Sequence, residues 1–235
     1  MRRKNNLNER IDASSSNLLG RLFSPTLTDI IQRDGGDKTL ISARLNLQSV
    51  FENNCPLELE IGCGKGGFIT ETAARNPSVN YLGVEKSANV AVALLERLDT
   101  QNISNVRLII GEAEYLLTAL PPLSVRVIYL NFSCPYPKGS YAKRRLTHPN
   151  FLRIYRQILA PDGVIKQKTD NQKLFEFSKN SFNENGFVIT NVTDNLHDSD
   201  SNIDGGVMTE YERRFSNMGL PIHYLEARIA KSLYG

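Results

Sequence analysis

The chain has 235 residues, of which 40% are hydrophobic and 23% charged, with a formal net charge of +3. These values exclude a disordered or fibrous protein and fit one α/β domain with a sizeable core. No apolar run approaches the roughly 18 residues of a membrane span, and no apolar segment of the signal-peptide type follows the basic N-terminus. The sequence therefore predicts a cytoplasmic protein that does not bind a membrane.

The cysteine pattern argues against two further classes of protein. Three cysteines are present, Cys55, Cys63 and Cys134, and no two of them form a CxxC pair. An odd and sparse set of this kind makes neither a disulfide framework nor a zinc site. Since no HExxH motif or Cys/His cluster occurs either, we expect no metal.

From residue 57 onward, apolar runs alternate with helical patterns. Strands are predicted at residues 57–61, 81–84, 106–110, 125–132, 164–168, 187–192 and 222–227. Helices are predicted at residues 68–75, 88–98, 113–120, 151–159 and 174–185. This alternation predicts a Rossmann-like α/β fold, a mostly parallel seven-stranded sheet with helices on both faces. Residues 1–55 lack the pattern and are predicted to be an N-terminal extension of uncertain structure, before a domain at 56–235.

Ligands of such sheets bind beyond the carboxyl ends of the strands. The first predicted strand runs into Glu-Ile-Gly-Cys-Gly-Lys-Gly-Gly, in which Gly62, Gly64 and Gly67 match GxGxxG. Glycines there let the backbone turn tightly and approach a ligand. The second strand ends in Glu85, whose carboxylate can accept from both hydroxyls of a ribose. This set indicates a nucleotide cofactor, without distinguishing NAD from others.

Two acids favour S-adenosylmethionine as that cofactor. Glu60 lies two residues before the first glycine, where it can face the cationic end of the ligand's amino acid. Glu112 follows the third strand, where the edge of an adenine would lie. An NAD-dependent dehydrogenase is the less favoured alternative, because no catalytic His, Lys or Tyr constellation accompanies the glycines.

The fourth strand is followed by a segment that suits a nucleic-acid substrate. Residues 131–138 read Asn-Phe-Ser-Cys-Pro-Tyr-Pro-Lys, a loop stiffened by two prolines, in which Tyr136 can stack on an unpaired base. Residues 137–145 contain four cations and no acid: Lys138, Lys143, Arg144 and Arg145. Such a cluster predicts contacts with phosphates.

Two polar segments further along have open roles. Asp170, at the end of the fifth strand, can accept from a base amine or cap the next helix. Thr209 and Glu212 have the spacing of a capping box, so a structural role and a substrate-binding role both remain open for them.

Several motifs together resemble one family, the bacterial tRNA (guanine-N7-)-methyltransferases, over residues 57–228. They are Glu-Ile-Gly-Cys-Gly-Lys-Gly at 60–66, Tyr-Leu-Asn-Phe-Ser at 129–133, Pro-Tyr-Pro-Lys at 135–138, Ala-Lys-Arg-Arg-Leu-Thr at 142–147, Lys-Thr-Asp-Asn at 168–171 and Met-Thr-Glu-Tyr-Glu at 208–212. The resemblance implies a class I fold, S-adenosylmethionine as methyl donor, and methylation of a guanosine in the tRNA variable loop by a monomer or homodimer.

The resemblance also implies roles for individual residues. The cofactor-binding positions are Glu60, Gly62, Gly64, Glu85, Glu112 and Cys134. The substrate-binding positions are Lys138, Asp170, Thr209, Glu210, Tyr211 and Glu212. The stretch from Ser140 to Arg145 matches the RNA-contacting positions, with Ser140, Lys143, Arg144 and Arg145 as the expected contacts.

Three positions depart from the family pattern: Glu112 stands where an aspartate is usual, Tyr136 where a tryptophan is usual, and Cys134 is the third. Cys134 occupies the place of the aspartate that is usually proposed as catalytic. Guanine N7 carries a lone pair and no proton, so loss of that carboxylate predicts a slower enzyme. Two alternatives remain open. The first is a methyltransferase that acts on another base position, such as an exocyclic amine, because residues 133–136 are loosely similar to the loop of the enzymes that methylate such amines. The second is a non-catalytic tRNA-binding homologue.

Overall fold

The computed structural model describes residues 6–22, 44–198 and 206–230. Its helices are α1 (Leu7–Ala13), α2 (Leu47–Phe51), α3 (Gly67–Arg75), α4 (Ala88–Gln101), α5 (Leu116–Ala119), α6 (Pro149–Ile158), α7 (Gln172–Glu184) and α8 (Glu210–Asn217). Its strands are β1 (Leu18–Leu22), β2 (Leu57–Ile61), β3 (Asn80–Glu85), β4 (Val106–Gly111), β5 (Val125–Asn131), β6 (Leu159–Thr169), β7 (Phe187–Thr193) and β8 (His223–Ile229). Short 3₁₀ segments span Ser15–Asn17, Ala113–Tyr115, Gly139–Arg144 and Leu196–Asp198.

The eight strands of the described residues form one sheet, in the order β1-β4-β3-β2-β5-β6-β8-β7. Neighbours from β1 to β6 pair in parallel, and β8 is antiparallel to both β6 and β7. The predicted α/β fold is confirmed, with one strand more than the predicted seven. The additional strand is β1, whose sequence Leu-Leu-Gly-Arg-Leu has no alternation and which, among the described strands, pairs with β4 alone.

The central strand β2 is buried on both faces of the sheet, including the face that carries its acidic residues. Its sequence alternates apolar and acidic residues, yet all five positions are buried. Leu57, Leu59 and Ile61 belong to one core cluster. On the opposite face, Glu58 accepts a hydrogen bond of 2.8 Å from the Tyr129 hydroxyl, which offsets the cost of burying its carboxylate.

Two hydrophobic cores, one on each face, hold the helices to the sheet. On one face, α1, α3 and α4 pack through residues such as Ile11, Ile69 and Leu95. On the other, α5 and α7 contribute Leu116 and Phe175 to the larger core. A fully buried side chain of this size contributes roughly 1.5–3 kcal/mol, so these layers fix the strand ends that form the site.

The N-terminal residues that the structure describes pack against the same sheet. Helix α1 contacts α4, where the Arg10 guanidinium donates two hydrogen bonds of 2.7 Å to the Glu96 carboxylate. Because both side chains are more than a third exposed, solvent screens this ion pair and it contributes little to stability. The predicted boundary near residue 55, between an extension and the methyltransferase domain, stays a prediction.

Two predicted elements differ in detail. The strand predicted at residues 164–168 begins earlier, at Leu159 in β6, where Val125 pairs with Leu159 and Val127 with Val164, so the intervening residues bulge out of register. The helix predicted at residues 113–120 is a 3₁₀ turn followed by the one-turn helix α5. In the part of the chain that the structure describes, no helix is both long and apolar enough to cross a bilayer.

Candidate active site

A cleft of about 650 Å³ lies at the carboxyl ends of β2, β3, β4 and β5. The chain leads from β2 outward to β3 and β4, and then returns to place β5 on the other side of β2. Ligands of open α/β sheets bind at such a reversal of strand order. The predicted site residues that line this cleft are Gly62, Gly64, Glu85, Glu112, Cys134, Arg144 and Tyr211.

The turn after β2 depends on glycine backbone conformations. Gly62, Gly64 and Gly66 have φ values of 81°, 60° and 79°, in the left-handed region that favours glycine. A Cβ on Gly66 would also lie 2.3 Å from the Leu94 side chain. In the sequence motif the third glycine is Gly67. In the structure, however, it is Gly66 whose backbone packs too closely against Leu94 to leave room for a side chain.

Glu60 lies behind this turn and is 4% exposed. Its Oε1 accepts a hydrogen bond of 3.0 Å from the Asn131 side-chain amide. Its Oε2 is buried and has no hydrogen-bond partner among the described residues. Sequence reasoning missed Asn131, because a single amide at the end of a strand has no pattern that marks it.

Burial raises the pKa of Glu60 to about 7. The hydrogen bond from Asn131 and the positive charge of Lys168 oppose this rise, and the charge of Glu85 adds to it. A buried carboxylate with one unused oxygen fits a cationic group, since a positive charge beside it would favour its ionised form and oppose the effect of burial on the pKa. The site therefore fits the amino group of an amino-acid ligand such as S-adenosylmethionine.

Three carboxylates line the cleft itself, those of Glu85, Glu112 and Glu114, whereas Glu60 is not among the lining residues. Glu85 accepts from two backbone amides, Gly64 N at 3.2 Å and Ser87 N at 2.8 Å, and so connects the glycine turn to the start of α4. Each carboxylate oxygen retains a further lone pair for a ligand hydroxyl. Glu112 precedes the 3₁₀ turn after β4, on the wall of the cleft.

The segment after β5, residues 132–138, is called the cleft loop here. Ser133, Cys134 and Tyr136 line the cleft, and Cys134 is an exposed free thiol. The Tyr136 hydroxyl lies 3.3 Å from the Lys86 ammonium at the end of β3. The loop therefore reaches across the end of β2, and the Tyr136 ring, predicted to stack on a base, has its hydroxyl beside Lys86.

Helix α8 borders the cleft through Tyr211. The predicted capping box is present: Thr209 Oγ1 accepts from Glu212 N at 2.9 Å, and Glu212 Oε2 accepts from Thr209 N at 3.2 Å. Glu212 is fully buried and accepts a hydrogen bond of 2.8 Å from Lys168 Nζ. These contacts give Thr209 and Glu212 a structural role at the start of α8, beside the substrate-binding role that stays a prediction.

Two other α8 residues point in different directions. Tyr211 is 60% exposed, lines the cleft and stacks near Phe132, with ring centroids 6.1 Å apart and an interplanar angle of 22°. Glu210 lies over Gly67 and pairs at 3.6 Å with Arg97 on the outer side of α4. Tyr211 is thus the predicted substrate residue that faces the cleft directly.

The remaining predicted substrate and RNA positions surround the cleft without lining it. Lys138, Ser140, Lys143 and Asp170 are exposed. Asp170 does not cap α7, because Asn171 performs that role by accepting from Leu174 N at 2.9 Å. No group of His, Cys, Asp and Glu side chains in the described ranges is arranged to hold a metal ion.

Comparison with known proteins identifies relatives over most of the chain. The model of a family described as "Putative methyltransferase" matches residues 54–225. The tRNA (guanine-N(7)-)-methyltransferase of Macrococcus caseolyticus is 46% identical over 178 residues, which are 76% of this chain and 84% of the relative. The enzyme of that name from Listeria monocytogenes is 44% identical, over 79% of this chain and 86% of the relative. The one from Bacillus subtilis is 42% identical, over 76% of this chain and 83% of the relative.

Solved structures resemble the fold at much lower identity. The 16S rRNA methyltransferase KamB has a TM-score of 0.60 at 16% identity, covering 80% of this chain and 95% of that one. The 30S ribosomal A1408 methyltransferase from an uncultured bacterium has a TM-score of 0.56 at 17% identity, covering 78% and 92%. At these identities the likeness concerns the fold alone.

Proposed function

Because the chain belongs to the tRNA (guanine-N(7)-)-methyltransferase family, we propose that it transfers a methyl group from S-adenosylmethionine to N7 of a guanosine in tRNA. The observation that carries the proposal is the cleft, which is lined by Glu85, Asn131 and the aromatic side chain of Tyr211. Glu60 lies buried behind Asn131, to which it is hydrogen-bonded. The variable loop is the proposed position of the guanosine. The proposal includes a monomer or homodimer acting in the cytoplasm.

The cofactor contributes an electrophilic methyl group on a positively charged sulfur. Glu60 would bind its ammonium through the unpartnered Oε2, and Glu85 would accept from its ribose hydroxyls. Glu112 would face the adenine edge. The left-handed turn at Gly62 and Gly64 keeps side chains out of the space that the ligand needs.

Guanine N7 has an in-plane lone pair and no proton to lose, so its attack needs no general base. The protein then contributes positioning and electrostatic stabilisation. Tyr211 and Phe132 offer an aromatic surface on which the purine can lie. Positive charge moves to the purine during the transfer, and carboxylates that face it lower the barrier.

The test is incubation of the protein with labelled S-adenosylmethionine and unmodified tRNA, followed by mass spectrometry of the nucleosides. We expect 7-methylguanosine. A purine methylated on an exocyclic amine would instead favour the alternative suggested by residues 133–136. Binding of cofactor and tRNA without any transfer would favour the non-catalytic homologue.

Replacing Glu85 by alanine is expected to weaken cofactor binding by about 1.5–3 kcal/mol, the contribution of hydrogen bonds to a charged group. The change removes the acceptor of the ribose hydroxyls and of the Gly64 and Ser87 amides. Calorimetric titration with S-adenosylmethionine measures the loss. Glu184→Ala, an exposed site at the end of α7, is the control, and unchanged affinity in folded Glu85→Ala would contradict the assignment.

Cys134→Asp is expected to react faster than the wild type, and Cys134→Ser at a similar rate. The thiol lines the cleft but is only a weak hydrogen-bond donor and acceptor, whereas a carboxylate can face the developing positive charge. Single-turnover rates with saturating cofactor test this. If serine abolishes transfer and aspartate does not restore it, the thiol itself is required and this interpretation is wrong.

A further inference from the structure

We propose that Arg145 is a positioning residue, which fixes the cleft loop in its reactive shape, and that it does not act as an RNA phosphate contact. Within the basic segment, sequence alone gives Arg145 the same role as Lys143 and Arg144. The contacts of these three side chains differ. The inference rests on the proposed function, because the loop matters through the methyl transfer that takes place beside it.

The guanidinium of Arg145 is already occupied by the protein. Its Nε donates to the Pro135 carbonyl at 3.1 Å, and its Nη2 donates to the Tyr136 carbonyl at 3.0 Å. The face of the group stacks on the Phe177 ring of α7, at 4.5 Å from the centroid. A planar donor fork between two carbonyls and an aromatic face is the geometry that arginine provides and lysine does not.

The cleft loop needs such a clamp. Phe132 and Tyr136 have φ values of 49° and 41°, in the left-handed region that residues other than glycine rarely adopt. Strain of this kind persists only when surrounding contacts hold the backbone. The two hydrogen bonds from Arg145 end at the strained residue Tyr136 and at its neighbour Pro135.

Of the two residues that Arg145 holds, Tyr136 lines the cleft, and Pro135 lies between two lining residues. Cys134 and Tyr136 line it, and the Tyr136 hydroxyl contacts Lys86 on the far side of the glycine turn. Arg145 therefore reaches the cofactor side through the loop. Lys143, by contrast, is exposed, and the Arg144 guanidinium lies over the exposed Tyr141 ring, 5.1 Å from its centroid.

The test compares Arg145→Lys and Phe177→Leu with Lys143→Ala, using the full-length protein and unmodified tRNA. Three quantities are measured: the single-turnover rate at saturating tRNA and cofactor, the calorimetric affinity for S-adenosylmethionine, and the dependence of tRNA affinity on salt. Lysine keeps the positive charge at position 145 and so preserves a phosphate contact, but it cannot form the two-carbonyl fork. Phe177→Leu weakens the clamp without changing any charge.

We expect Arg145→Lys and Phe177→Leu to lower the single-turnover rate by roughly ten- to a hundredfold, as misplacement of a site loop does, with an unchanged salt slope. Lys143→Ala should reduce the salt slope by up to about 0.9, the value for one lost duplex contact. A wild-type rate in Arg145→Lys would overturn the proposal, because charge alone would then suffice.

Thermal unfolding of each variant shows whether it folds. If Arg145→Lys does not fold, Phe177→Leu decides, and a wild-type rate in that variant overturns the proposal. If the wild type transfers no methyl group to tRNA, the proposed function fails. The affinity for S-adenosylmethionine still tests the clamp in that case: it should fall in Arg145→Lys and Phe177→Leu and stay unchanged in Lys143→Ala. Equal affinity in all three would overturn the inference independently.

Discussion

Lys168→Ala is expected to destabilise the protein by about 3–5 kcal/mol, the cost of leaving a buried charge without its partner. Lys168 Nζ lies 2.8 Å from Glu212 Oε2, and the two side chains are 4% and 0% exposed. Lys168 also donates to the Val207 carbonyl at 3.2 Å, so the same ammonium holds the segment that leads into α8. Denaturant unfolding measures the change.

Two controls separate this effect from general damage to α8. Arg213 lies on the same helix, α8, and forms an exposed ion pair with Glu71 of α3. Arg213→Ala removes that pair and should lower the free energy of unfolding by at most about 1 kcal/mol. The double variant Lys168→Met with Glu212→Leu removes both buried charges and should be much closer to the wild type. A loss below about 1 kcal/mol in Lys168→Ala would show that this pair does not hold α8.

Glu60→Gln is expected to weaken binding of S-adenosylmethionine by about 2–5 kcal/mol, as loss of one partner of a buried charge pair does. The amide keeps the size of the side chain and a contact with Asn131, but it has no charge for the ammonium. Glu58→Gln is the matched control, because Glu58 is buried on the same face of β2 and its Oε2 is occupied by the Tyr129 hydroxyl. We expect that control to bind the cofactor with wild-type affinity.

The pH dependence gives a second signature of Glu60. Because its folded-state pKa is raised from 4.5 to about 7, the folded protein holds an extra proton between these values. The cofactor-free protein therefore loses stability as pH rises from 4.5 to 7. Cofactor affinity should increase through the upper part of this window, since the carboxylate binds the ammonium. Glu60→Gln should remove both trends, and a Glu60→Gln variant with the wild-type pH dependence would contradict this role.

The interior of the fold could be predicted from sequence because its strands are apolar or alternating segments of the expected length. Strand β2 was placed at residues 57–61, as the structure has it. The edge strand β1 was not found, because Gly20 and Arg21 interrupt its apolar residues and, among the described strands, only β4 pairs with it. Its place depends on packing at long range, which local patterns do not encode.

The site was predicted in part. The acids at the strand ends could be found because a parallel sheet brings its carboxyl ends to one edge, and the capping box because its spacing is local. Three features depend on tertiary contacts instead: the Asn131 hydrogen bond to Glu60, the close approach at Gly66, and the clamp by Arg145. In the sequence Arg145 cannot be distinguished from its basic neighbours, because its contact with the Phe177 ring of α7 is a tertiary one.

Substitution of a single atom in the substrate tests the central claim most directly. Once 7-methylguanosine has been mapped in the reacted tRNA, a transcript with 7-deazaguanosine at that position replaces N7 by carbon and leaves the Watson–Crick edge intact. Methyl transfer under single-turnover conditions is then compared for the two transcripts. We predict that the 7-deaza transcript binds as a competitor with similar affinity and accepts no methyl group at that nucleoside. Continued methylation of that nucleoside would show that the methyl acceptor is another atom of the base and would contradict the account.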